Sequence, residues 1–119
     1  MNFTQHKPIF LQIVDVIYDN ILQKKWTDDE RISSVRELGM ELGVNPNTVM
    51  RSYEYLQSEE IIYNKRGIGY FVVPNAQNKI IEMLRADFLK NELPSVIKKM
   101  KSLNISTAQL LSAIEGENL

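Results

Sequence analysis

The chain of 119 residues carries 14 Lys+Arg against 15 Asp+Glu, a formal net charge of −1. As a whole-chain total, that balance argues against a nucleic-acid partner, whose usual footprint is a domain with pI above about 9, and against a polybasic membrane-surface protein. Zero cysteines exclude disulfides, thiolate zinc sites and Cys nucleophiles, while 44% hydrophobic and 24% charged residues make a folded rather than a disordered chain.

The length suits one ordinary domain, or one small domain with an appendage. Pro8, Asp15 and Asp19 interrupt any apolar signal core, and no run approaches the ~20 apolar residues that span a bilayer. A soluble, cytoplasmic protein without membrane attachment is expected.

The first periodic segment runs roughly from Ile9 to Lys25. Ile9, Ile13, Ile17 and Ile21 recur every four residues, joined by Phe10, Val14 and Leu22, which predicts an amphipathic helix with a wide buried stripe. Pro8 stands where a first helical residue should, its missing N–H costing nothing there. Trp26 and the acids Asp28, Asp29 and Glu30 then read as a solvated connector; a metal site would need further ligands.

Ser34 and Glu37 have the spacing of a capping box and open a second helix. That helix passes through Leu38 and Leu42 and stops at Gly43, the residue type best suited to a left-handed terminus. Asn45 as N-cap and Pro46 as first residue begin a third helix, with Val49, Tyr53 and Leu56 facing inward. Two short helices joined by a tight Gly-containing turn are the skeleton of a helix-turn-helix.

The period then changes. Ile61-Ile62-Tyr63 and Gly69-Tyr70-Phe71-Val72-Val73, split by Asn64-Lys65-Arg66-Gly67-Ile68, predict a β-hairpin with a basic tip, ended by Pro74 and Asn75. From Ala76 helical spacing returns through Ile80, Ile81, Leu84, Phe88 and Leu89, then Val96, Ile97, Met100 and Leu103. Pro94 should kink or restart that helix. Ser106 and Gln109 form a second capping box, and a last helix is expected from about Thr107 to Ile114. The expected fold is α+β and mostly helical: a winged helix-turn-helix over residues 1–75, followed by a short two-helix dimerisation appendage over 76–119.

In a helix-turn-helix, the N-terminal part of the second helix enters the major groove. At roughly 100° per residue, Asn47 and Arg51 point opposite to Val49 and Leu56, with Thr48 at the edge of that outward face. Arg suits bidentate bonds to guanine, Asn to adenine, and Thr or backbone N–H groups to phosphate. Arg36 sits where the preceding helix crosses the backbone, and Ser34 at its N-terminus caps the helix while remaining available to phosphate. Lys65 and Arg66 at the hairpin tip would reach an adjacent groove, and Gly67 would allow close backbone approach.

Pro8-Ile9-Phe10-Leu11-Gln12-Ile13, Ser33-Ser34-Val35-Arg36-Glu37-Leu38, Gly43-Val44-Asn45-Pro46-Asn47-Thr48-Val49, Tyr53, Leu56 and Gly67-Ile68-Gly69-Tyr70-Phe71-Val72 resemble, in order and spacing, the GntR family of bacterial transcription regulators. Asn-Pro-Asn-Thr-Val followed by Arg51, with a short C-terminal region, is similar to the YtrA-type subfamily. The resemblance implies a homodimeric repressor with a dimerising two-helix tail, often acting on transporter genes. It also implies DNA contacts at Ser34, Arg36, Asn47, Thr48, Arg66 and Gly67, with Arg51 fitting the subfamily pattern where larger relatives place the basic residue at Met50. Asn45 and Lys65 complete the candidate DNA-contact set. Departures fall at turns: Ile32-Ser33-Ser34 replaces the usual Leu-Pro-Ser, Glu60 a common Gly before the hairpin, and Lys25 a Gly near the end of the first helix.

The segment after Asn75 is too short to enclose a small-molecule effector, so effector identity is left open. Its two helices cannot cover each other's apolar perimeter. Ile80, Ile81, Leu84, Phe88 and Leu89 on one, with Leu110, Leu111 and Ile114 on the other, need a further surface; a second copy related by a two-fold axis supplies it, the alternative being that the tail folds back on its own winged domain. A two-fold dimer favours a palindromic double-stranded DNA site with half-sites about 34 Å apart or a multiple of that. An enzyme is not expected: His6 stands alone near the terminus, Gly67-Ile68-Gly69 lacks the helix of a phosphate cradle, and no cofactor or metal is required. The rival reading is a winged helix used as a protein-interaction module without DNA.

The charge total averages two regions. Between Leu42 and Tyr53 the only charge is Arg51, and between Ile61 and Ile81 there are Lys65, Arg66 and Lys79 and no acid. A DNA-facing basic strip is therefore compatible with the net −1, and non-specific affinity should be modest and salt-sensitive.

Overall fold

The structure, a computed structural model, describes residues 6–116. Its elements are α1 (Ile9–Leu22), α2 (Val35–Leu42), α3 (Pro46–Ser58), β1 (Ile62–Lys65), β2 (Gly69–Val72), α4 (Ala76–Asp87), a π-helical turn (Phe88–Glu92), α5 (Leu93–Ser102) and α6 (Thr107–Ile114). The mostly helical winged helix-turn-helix is the fold adopted. The chain divides into two compact units, one ending at Glu82 and the other beginning at Met83. The boundary expected after Asn75 thus lies about two helical turns later, inside α4.

In the first unit, α1 buries Ile13, Val14, Ile17 and Ile21 on one side, the stripe that their spacing dictates. Pro8 caps this helix from outside it: with an extended ψ of 143°, its carbonyl accepts from the Leu11 and Gln12 N–H groups at 3.0 and 3.2 Å. The helix ends at Leu22, short of the expected Lys25, because Lys24 turns into the left-handed region (φ 61°).

The helix-turn-helix ends are chemically determined. Ser34 Oγ accepts from the Glu37 N–H at 3.0 Å and Glu37 Oε1 accepts from the Ser34 N–H at 2.9 Å, the complete capping box. Gly43 closes α2 at φ 69°, and Asn45 Oδ1 accepts from the Asn47 N–H at 2.8 Å to open α3. Val49, Tyr53 and Leu56 of α3 meet Leu38 of α2 in the core. At roughly 1.5–3 kcal/mol per fully buried aliphatic or aromatic side chain, this packing outweighs any single cap, which contributes about 1 kcal/mol.

The wing is antiparallel, with Ile62 opposite Val72 and Lys65 opposite Gly69. Asn64 and Lys65 belong to β1, so the tip is narrower than expected and comprises Arg66-Gly67-Ile68. The acidic connector is more than a loop. Asp29 N–H donates to the Val72 carbonyl at 2.9 Å, Val72 N–H to Glu30 O at 3.0 Å, and Ile32 N–H to Tyr70 O at 2.9 Å, while Arg31 bridges Phe71. Its carboxylates stay exposed while its backbone covers the free edge of β2. Glu60, at the place of the family's glycine, adopts φ 59°.

Ala76 and Ile80 on the first turns of α4 are buried in this unit. Ile80 is thus fully buried within a single copy, unlike Ile81, Leu84, Phe88 and Leu89, which are exposed.

In the second unit the helix does not break at Pro94. Proline withholds the N–H that would bond to Lys90, and the backbone accommodates this by widening into the π turn, where the Leu93 N–H reaches the Phe88 carbonyl. α6 opens on its own capping box, Ser106 Oγ accepting from Gln109 N–H at 3.1 Å and Gln109 Oε1 from Ser106 N–H at 2.9 Å.

Candidate nucleic-acid interface

Three elements converge on a tyrosine pair. Tyr53 of α3 is buried, and its hydroxyl donates to the Ser33 carbonyl at 2.5 Å, which ties α3 to the approach to α2. Its ring meets Tyr70 of β2 edge-on, 4.9 Å between centroids. The Tyr70 hydroxyl in turn donates to Met50 Sδ at 3.7 Å, joining the wing to α3. Burial pushes the Tyr53 phenol well above its ordinary value, with the nearby Glu41 carboxylate adding to the effect. A neutral phenol is thus held as a fixed strut between α2, α3 and the wing.

The outward side chains stand on this frame. Asn47 and Arg51 are exposed on α3 and Thr48 is half-buried at its edge. The Asn45 side-chain oxygen accepts its capping bond and the Ser34 hydroxyl oxygen accepts within its capping box; these acceptor roles leave the Asn45 amide N–H groups outside the cap. The Ser34 backbone N–H, and after it the hydroxyl, hold the Glu37 carboxyl below its ordinary value. Arg36, two residues beyond that cap, is exposed. The two ion pairs formed among the described residues, Lys7 with Asp15 at 2.6 Å and Lys79 with Glu60 at 3.3 Å, engage none of Arg36, Arg51, Lys65 or Arg66.

On the wing, the Lys65 ammonium sits 4.5 Å from the centroid of Phe71, and that ring stacks on Tyr63. The Tyr63 hydroxyl donates to Asp29 Oδ1 at 2.8 Å, a bond that raises its own pKa. Arg66 and Gly67 are exposed at the tip, Gly67 with φ 78° and open space about its Cα. Ile68, which the hairpin pattern left without a role, is 57% exposed beside them.

Two residues of this surface were not legible in sequence. Arg31 lies in the connector, and its guanidinium Nε falls 2.9 Å from where a Cβ on Gly69 would be. A Cβ at position 69 would displace that side chain, so glycine there leaves room for the cation beside β2. Phe10, read as a core position of α1, is half-buried and carries the Arg51 guanidinium 4.0 Å from its ring centroid. A period of 3.6 gives the direction in which a residue leaves its helix, but not where a long side chain comes to rest.

Comparison with known proteins agrees with this geometry. Residues 10–72 match the family described as bacterial regulatory proteins, gntR family. The chain is 32% identical over 113 residues to the uncharacterized HTH-type transcriptional regulator YhcF of Bacillus subtilis, covering 95% of this chain and 92% of that protein. It is 32% identical over 90 residues to the HTH-type transcriptional repressor YtrA of the same organism, covering 76% and 68% respectively. The crystal structure of a transcriptional regulator of the GntR family from Bacteroides thetaiotaomicron superposes with a TM-score of 0.80 at 45% identity, over 92% of this chain and 95% of that one. With the cap-to-cap helix-turn-helix, the wing and the full-length relatives in agreement, the chain belongs to the GntR family of DNA-binding transcriptional regulators, alongside relatives of the YtrA type.

Proposed function

We propose that the protein is a homodimeric repressor that reads a two-fold symmetric operator, with Asn47, Thr48 and Arg51 facing base edges in the major groove. In this reading Arg36, with the cap of α2 at Ser34, holds the phosphate backbone. Lys65, Arg66 and Gly67 engage the neighbouring groove. The observation that carries it is the two-sidedness of α3: Val49, Ser52, Tyr53 and Leu56 are buried, whereas Asn47 and Arg51 stand in solvent, and Arg51 is the only charge between Leu42 and Tyr53. Repression follows the relative named a transcriptional repressor.

The second unit supports the dimer. Leu84, Phe88, Leu89, Leu111 and Ile114 are between 41% and 70% exposed, and a groove of about 260 Å³ between α5 and α6 is lined by Ile97, Met100, Ile105 and Leu110. Ile81 is exposed near the end of the winged unit. Apolar surface of this extent is covered in stable soluble proteins, and a self-complementary two-fold contact covers it on both copies at once.

Selection of bound duplexes from a random pool tests the reading. The expected outcome is a palindromic site whose half-sites lie about 34 Å apart or a multiple of that. Recovery of unrelated sequences with no symmetry would contradict it and favour a winged helix used for protein contacts.

A further inference from the structure

We propose that Phe10 of α1 is a positioning residue for sequence discrimination: its ring is the platform that holds the Arg51 guanidinium ready for a base. This deepens the reading of α3 as the base-reading helix and rests on it.

Arg51 is exposed on α3, yet its guanidinium carbon lies 4.0 Å from the centroid of the Phe10 ring. A guanidinium this near a ring centroid is drawn to the electron-rich face, and where it lies flat on that face its in-plane N–H fork is left free. The fork is what bonds guanine O6 and N7. An unsupported arginine would have to lose the rotation of its whole side chain on meeting a base; an arginine already laid on a ring has lost much of it beforehand.

The platform is itself held. The Phe10 carbonyl accepts from Ser52 Oγ at 2.6 Å, and the same hydroxyl lies 3.3 Å from the Thr48 carbonyl. Ser52 is fully buried and adjacent in sequence to Arg51. The ring also meets Tyr55 edge-on, with centroids 6.3 Å apart and planes at 68°. The start of α1 is thereby locked to α3 at the turn that bears Arg51. Phe10 acts on DNA only through Arg51.

The test uses the full-length protein and two duplexes: the one recovered by selection, and the same duplex changed at the base pair most affected by Arg51→Ala. Phe10→Leu keeps an apolar side chain but removes the ring. It should lose roughly two- to fivefold of the discrimination between the two duplexes, the range expected from a cation–π contact at an exposed site, while affinity for the changed duplex and the salt slope stay as in wild type. Phe10→Tyr and Phe10→Trp, which retain a ring, should restore discrimination. If Phe10→Leu discriminates as wild type while Arg51→Ala does not, the positioning role is wrong. If Phe10→Leu weakens both duplexes equally, Phe10 is packing alone and the role is again wrong. If Arg51→Ala itself changes nothing, base reading by Arg51 fails, and the inference with it. A measurement independent of any variant's folding is the Arg51 side-chain proton spectrum of the DNA-free wild type. Ring-current shifts upfield are expected, and positions typical of a free arginine would overturn the platform.

Discussion

Tyr53 shows how one side chain sets the geometry of the binding face. Its phenol is buried, donates to the Ser33 carbonyl at 2.5 Å and abuts Tyr70, so α2, α3 and the wing share one strut. Tyr53→Phe should cost about 0.5–1.5 kcal/mol in denaturant unfolding, because the ring still packs but the hydrogen bond is gone. The raised phenol pKa gives a pH signature. A group whose folded value lies above its unfolded value of 10.0 contributes stability in full below that pH and loses it as pH rises through the folded value. Wild type should therefore weaken in alkali and Tyr53→Phe much less so. Glu37 has the opposite sign: its carboxyl is lowered from 4.5 by the Ser34 bonds. The cap is therefore fully formed above that pH and lost as pH falls through the lower folded value. Glu37→Gln should flatten this acid limb while keeping α2 capped, as read by circular dichroism against pH. The inward direction of Tyr53 was legible from its spacing with Val49 and Leu56. The carbonyl it bonds and the ring that Arg51 rests on were not, since both partners arrive from distant parts of the chain.

At the scale of elements, what was legible is what is local. The capping boxes at Ser34 and Ser106, the Asn45-Pro46 start and the Gly43 stop each involve residues within four positions of one another, and all are formed. The acidic run Asp28, Asp29 and Glu30 was read as a solvated loop because its side chains are charged. Its backbone nevertheless pairs with β2, an interaction in which side-chain hydropathy has no part. Pro94 predicts an interruption, and the π turn is the form it takes: five residues absorb the missing N–H without ending the helix. Gly43 offers the clearest substitution. With φ 69° and nothing within 4 Å of its Cβ direction, Gly43→Ala should cost about 1–2 kcal/mol of unfolding free energy from conformation alone, and Gly43→Asn less, since asparagine tolerates the left-handed region.

For the whole molecule, the placement of Ala76 and Ile80 changes where the winged unit ends. A fragment of residues 1–82 should fold cooperatively. A fragment of residues 1–75 lacks a fully buried isoleucine and should be less stable by about 2–5 kcal/mol, the range for deleting such a side chain. Periodicity grouped Ile80 with Ile81 and Leu84 because all three are apolar at helical spacing, and spacing cannot say which neighbour an apolar residue is buried against. The exposed apolar residues that follow predict that Leu84→Glu with Phe88→Glu yields a monomer by light scattering with the winged unit still folded. Loss of the second half-site should then lower operator affinity by roughly a hundredfold or more.

The net charge of −1 places the burden of DNA recognition on a few cations rather than on a basic surface. Titration of a labelled duplex from the selection, in parallel with a scrambled duplex and over a range of salt, measures that directly. Arg51→Ala should lose about 1–3 kcal/mol of discrimination between the two duplexes, whereas Lys65→Ala should weaken both alike and reduce the salt slope by about one. Both variants binding both duplexes as wild type does would contradict the assignment of α3 and the wing to DNA.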